Sequence, residues 1–193
     1  PFDVNVPACS SEPTGLAYVA FPGCDLVGVV DLASGDLIEG IRFPANGPPE
    51  LTGPNATCPV ECTELAAGAA VPGGPVTPGG GPTTLAMDPA GGSLYVGLGN
   101  EPTVAIVGLS AFGLPTTLNT VALAGAGGVR RVVDTGDVQM GNELTGAIFR
   151  FVYALAKDGT IHVADVTDPS AARECDTQID PRQLRGIRDS RVL

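Results

Sequence analysis

The sequence has no tryptophan, a single histidine (His162), a single lysine (Lys157), and aromatic side chains at only 5% of its 193 positions. With one histidine, any Ser-His-Asp or Cys-His arrangement must pass through His162, and no Gly-x-Ser-x-Gly elbow accompanies it. No apolar run approaches the ~20 residues of a bilayer-spanning helix, so no transmembrane helix is expected. Membrane attachment would need a lipid outside this sequence. Positive charge is scarce as well: 10 basic residues face 21 acidic ones, a net charge of −11. Because phosphate neutralisation drives nucleic-acid binding, that balance excludes nucleic acid as an expected partner.

Glycine and proline are plentiful, at 27 and 18 residues, yet 44% of the chain is apolar. That much apolar surface offsets the entropy that keeps polar, low-complexity chains disordered. Surface scaling allows roughly 70% of the extended chain's surface to be buried, the figure for one domain of this size. We therefore read 1–193 as a single region. Basic charge collects at its C-terminal end, where Arg173, Arg182, Arg185, Arg188 and Arg191 meet four acids. This tail (170–193) reads as a surface segment docking onto its own domain.

The five cysteines are informative by position. Cys9 and Cys24 flank the first predicted strand, and Cys58-Pro-Val-Glu-Cys62 lies in a Pro/Gly-rich loop. Two loop-associated pairs suit an oxidising compartment, so disulfides Cys9–Cys24 and Cys58–Cys62 and an extracytoplasmic location are expected. Cys175 is left over, pairing with nothing here or with a part of a longer parent chain. Cys58-x-x-x-Cys62 lacks a second Cys/His pair for zinc, and the Cys-x-x-Cys-His of a haem site is absent. No cofactor or metal is expected.

Three segments share one pattern. Leu16-Ala-Tyr-Val-Ala20 leads through Pro22-Gly23 into Val27–Leu32. Leu94-Tyr-Val-Gly-Leu98 leads through Gly99-Asn100 into Val104–Leu109, and Phe151-Val-Tyr-Ala-Leu155 leads through Asp158-Gly159 into Ile161–Val166. Aligning Tyr18, Tyr95 and Tyr153 places the second strand 9, 9 and 8 residues later, so all three tyrosines occupy one repeat position. Each unit reads as two β-rich runs joined by a glycine turn, a hairpin. Leu37–Ile41 extends the first unit, and Thr84–Met87 and Val129–Val133 precede the second and third. The only helical signal is a short turn near 178–186.

Repeated up-and-down strands with turn signals between them predict an all-β, propeller-like array of antiparallel meander blades. The blades fall at about 13–43, 82–123 and 129–169. The Tyr-to-Tyr spacings of 77 and 58 residues exceed the ~40–50 of an ordinary blade. We assign the excess to loop insertions at 44–82 and at Asp134–Thr145.

Leu94-Tyr95-Val96, the Ala86-x-Asp-Pro-x-Gly-x-x-Leu-Tyr-Val96 run, and the closing Val29–Ser34 and Val163–Asp168 segments resemble the YVTN/YncE-like group of β-propellers. The cysteine-bearing loops are similar to those of secreted bacterial lipoprotein-type propellers. About half the chain carries the likeness; Gly108 stands where an Asp is usual. The resemblance implies a periplasmic, surface or secreted scaffold, and it implies no catalytic residues.

Three blades do not close a ring of 4–8. An unclosed array exposes edge strands, so the remainder of a longer chain or a protein partner is expected to cover the blade edges. His162 alternates out of phase with Ile161 and Val163, which places it on the opposite sheet face, as a surface or inter-blade residue. Asp25, Asp31 and Asp36, and likewise Asp165 and Asp168, could offer Ca²⁺ oxygen ligands but read first as turn formers. Asn55-Ala-Thr57 is a glycosylation sequon. The expected function is a non-catalytic binding or scaffold module for protein or glycan contacts. The alternatives are a structural subunit of a larger envelope assembly, and a propeller-type hydrolase or lyase.

Overall fold

Alternating apolar runs bounded by Gly, Pro and Asp become twelve strands in the computed structural model, which describes residues 14–45, 47–54, 79–140 and 146–175. They form three four-stranded antiparallel sheets, with neighbours in the sheet following neighbours in the chain. Sheet 1 holds β1 (Leu16–Phe21), β2 (Leu26–Asp31), β3 (Leu37–Arg42) and β4 (Glu50–Leu51). Sheet 2 holds β5 (Pro82–Met87), β6 (Ser93–Leu98), β7 (Thr103–Leu109) and β8 (Pro115–Ala122). Sheet 3 holds β9 (Val129–Met140), β10 (Ala147–Ala156), β11 (Ile161–Asp165) and β12 (Arg173–Glu174). Among the described residues there is no α-helix, and the sheets do not close into a ring.

The sheets stack face to face, with sheet 2 in the middle. Because side chains alternate along a strand, β6 sends Leu94, Val96 and Leu98 one way and Tyr95 the other. The first set packs with Val27, Ile41 and Phe43 of sheet 1, joined by Ala105 and Val107 of β7. Tyr95, Val104, Ile106 and Val121 pack instead against Val132, Val152 and Ala154 of sheet 3. Both faces of sheet 2 are therefore core, which is why its central strands β6 and β7 read as continuous apolar runs rather than strict alternation. Each buried Val, Leu or Ile side chain contributes about 1.5–3 kcal/mol.

Close approach of the sheets depends on glycine. A Cβ on Gly97 would lie 2.5 Å from Thr84 Cγ2 and 2.6 Å from Val129 Cγ1. Thr83 Oγ1 crosses the same joint, donating to the Val129 carbonyl at 2.8 Å. At the other joint the Tyr18 hydroxyl donates to the Gly113 carbonyl. Asp25, in the left-handed region at φ 50°, accepts from Gly79 N and Gly81 N and so anchors the chain just before β5.

The expected strands are present, and three boundaries differ from expectation. Asp134–Met140, read as part of a loop insertion, continues β9, because it pairs with the ten-residue β10: Arg150 opposes Asp137 and Phe149 opposes Val138. Arg173–Glu174, read as tail, pairs with β11. Within 44–82, Glu50–Leu51 pairs with β3 and Pro82 begins β5. Cys9, Cys58, Cys62, the sequon at Asn55–Thr57, the possible turn near 178–186 and the last four tail arginines lie outside the described residues.

Candidate functional site

Three features between and around the sheets could carry function. The first surrounds His162, the one sequence candidate for acid–base chemistry. In register with Ala154 on β10, it faces sheet 2 and is buried. Its Nδ1 lies 2.6 Å from Glu174 Oε1 and its Nε2 lies 2.9 Å from Thr160 Oγ1. The second Glu174 oxygen accepts from Ala124 N at 2.7 Å, so the carboxylate clasps β12 to the end of sheet 2. Thr160 Oγ1 in turn donates to Asp158 Oδ1 at 2.7 Å, and these hydrogen bonds hold the Asp158 carboxyl below its ordinary value. A hydroxyl–imidazole–carboxylate order is present, but the hydroxyl proton is engaged by Asp158, whose negative charge would oppose an oxyanion formed at Thr160. The arrangement ties three chain segments together; as a nucleophile it is poorly set.

The second feature is a polar cluster at the same sheet 2–sheet 3 joint that sequence reasoning missed. Arg150 Nη1 is 2.5 Å from the buried Asp88 Oδ2, and Arg150 also bonds Asp137 through Nε at 3.1 Å and through Nη2. Tyr95 OH and Asp134 Oδ1 lie in the same field, both buried without a hydrogen-bond partner. Burial pushes the Tyr95 phenol up to about 12, with the Asp134 charge acting in the same direction. Burial likewise raises the Asp134 carboxyl above its ordinary value. The available signal was a charged residue inside the apolar run Ile148-Phe149-Arg150-Phe151-Val152: a half-buried cation gains most from a charged partner.

The third feature is the pair of outer faces. Sheet 1 turns Val19 and Phe21 away from sheet 2, at 38% and 40% exposure, with Phe21 and Leu37 folded over Gly28. Sheet 3 turns Tyr153 and Val133, cross-strand partners at 42% and 50% exposure, away from sheet 2. Phe149 and Phe151 stack beside them with ring centroids 6.2 Å apart. The three repeat tyrosines thus meet three environments. Tyr18 packs into the first joint, Tyr95 is 0% exposed in the second, and Tyr153 faces out.

The remaining sequence candidates resolve locally. Asp31, Asp165 and Asp168 each accept the backbone N–H two residues on, and Asp25 is committed to Gly79 and Gly81. No cluster of three or more His, Cys, Asp or Glu able to hold a metal occurs among the described residues, and no helix among them is long and apolar enough to cross a membrane. Cys24 is engaged in a disulfide. No protein-family profile matches the chain, and no curated protein matches it in sequence.

Proposed function

We infer that the chain is a non-catalytic, extracytoplasmic binding or scaffold module of β-propeller type, contacting other protein surfaces through the outer faces of its sheets and glycans or proteins through its loops. The observation that carries this reading is the repeat geometry. Three four-stranded meanders stack through apolar faces, and the same apolar pattern continues on two faces that nothing among the described residues covers. Apolar sheet faces of this kind mark association surfaces. They also support the related reading of a subunit within a larger surface or envelope assembly. The disulfide at Cys24 supports an oxidising compartment. Hydrolase or lyase chemistry at His162 is the weaker reading, since both ring nitrogens are already engaged inside a structural clasp.

Negative-stain imaging of natively purified material tests the propeller reading. Class averages with four to eight radial blades around a centre are the expected result. An isolated wedge of three sheets at all concentrations would overturn it.

A further inference from the structure

The two outer faces are not equivalent, and their difference points to an occupant. Within the chain each joint is made in one sense. The face bearing a repeat tyrosine, here termed forward, packs on the opposite, backward face of the following sheet. Tyr18 of sheet 1 meets the Leu94–Val96–Leu98 face of sheet 2, and Tyr95 of sheet 2 meets the Val132–Val152–Ala154 face of sheet 3. Sheet 3 then presents a forward face, with Tyr153, Val133 and Val163 in register, that meets no following sheet among the described residues. Sheet 1 presents a backward face, with Val19 and Phe21, that meets no preceding sheet among the described residues. One chain thus carries both halves of the joint it already makes twice.

We propose that a second copy of this chain supplies both missing halves. The Tyr153 face of each copy seats on the Val19–Phe21 face of the other, so that two copies close a six-sheet ring. The inference rests on the propeller-type reading above and adds the identity of the partner. A head-to-tail contact yields either a closed ring or an open filament, and the area argues for closure. The strands of sheet 1 hold six, six, six and two residues, and at ~3.3 Å per residue and ~4.8 Å between strands they give a face of roughly 320 Å². One contact therefore buries roughly 640 Å² over both partners, well below the ~1,200 Å² of a stable interface, whereas two contacts made together reach roughly 1,300 Å². Six blades lie within the range that closed propellers use.

The test combines native mass with two charge insertions. Wild-type protein should give about twice the 19.4 kDa of the chain across low-micromolar to 100 µM concentrations by light scattering. Each of Val19→Lys and Tyr153→Lys should fall to the single-copy mass, with circular dichroism unchanged as the check on folding. An equimolar mixture of the two variants retains one undamaged joint, so it should form more two-copy species than either variant alone. Three results would overturn the second copy: a single-copy mass for wild type at 100 µM, dissociation by only one of the two variants, or a denatured mass of native material well above 19.4 kDa, which would place the covering sheets in the same chain. The last leaves the propeller reading standing, whereas an uncovered wedge in the images removes both.

Discussion

Tyr95 and Tyr153 stand at the same place in the repeat, two strands of the same kind carry them, and one is fully buried while the other is two-fifths exposed. What separates them is position in the stack. Sheet 2 has a neighbour on each side, so Tyr95 has no route to water and every residue of β6 is buried. Among the described residues sheet 3 has one neighbouring sheet, and none of them covers Tyr153 on its forward side. Local sequence sets the strand and the direction of the side chain; the number of neighbouring sheets sets what that direction is worth. The middle sheet should therefore dominate stability while the outer sheets carry association.

The sharpest break of that comparison is truncation of the two tyrosines. Tyr95→Ala should cost about 3–5 kcal/mol, the range for deleting a large buried aromatic side chain. Tyr153→Ala should cost under about 1 kcal/mol in dilute solution, and urea unfolding compares them directly. Equal costs would remove the distinction between middle and outer sheets. Next comes Arg150→Gln, which strands the buried Asp88 carboxylate and should cost about 2–3 kcal/mol, less than a fully buried ion pair because Arg150 reaches solvent. Adding Asp88→Asn should recover part of that loss.

Alkaline pH probes Tyr95 without mutation. Its folded pKa of about 12 lies above the ordinary value of 10, so between these values the folded protein keeps a proton that the unfolded chain releases. Stability then falls as pH rises from 10 to 12, by roughly 2–3 kcal/mol for this group. In Tyr95→Phe that part of the alkaline loss should vanish. The smallest contrast uses glycine. Gly97→Ala pushes a methyl group into Thr84 and Val129 and should cost about 1–3 kcal/mol. Gly127→Ala, with open space around it, should lie within about 0.5 kcal/mol of wild type.

Much of this arrangement was legible in the residues. The hairpins around Tyr18, Tyr95 and Tyr153 follow from β-rich runs and glycine turns, and the out-of-phase placement of His162 correctly puts it on the face opposite Ile161 and Val163. Other elements depend on partners distant in the chain. Pro115–Ala122 alternates exposed threonines with a few buried residues and becomes β8 only because β7 offers a ladder. Asp134–Met140 contains Gly136 and two aspartates, poor strand formers, and is held extended by β10. Asp88 and Arg150 are 62 positions apart, and Glu174 reaches His162 only after β12 pairs with β11. Local propensity carries no information on such pairings.

Amide hydrogen exchange tests the stacked arrangement most directly. Strands β6 and β7, paired on both sides and buried on both faces, should exchange most slowly, at the rate of global unfolding, while the edge strands β1 and β12 should exchange orders of magnitude faster. Protection in sheet 1 or sheet 3 equal to or greater than that in β6 and β7 would contradict a structure organised around its middle sheet.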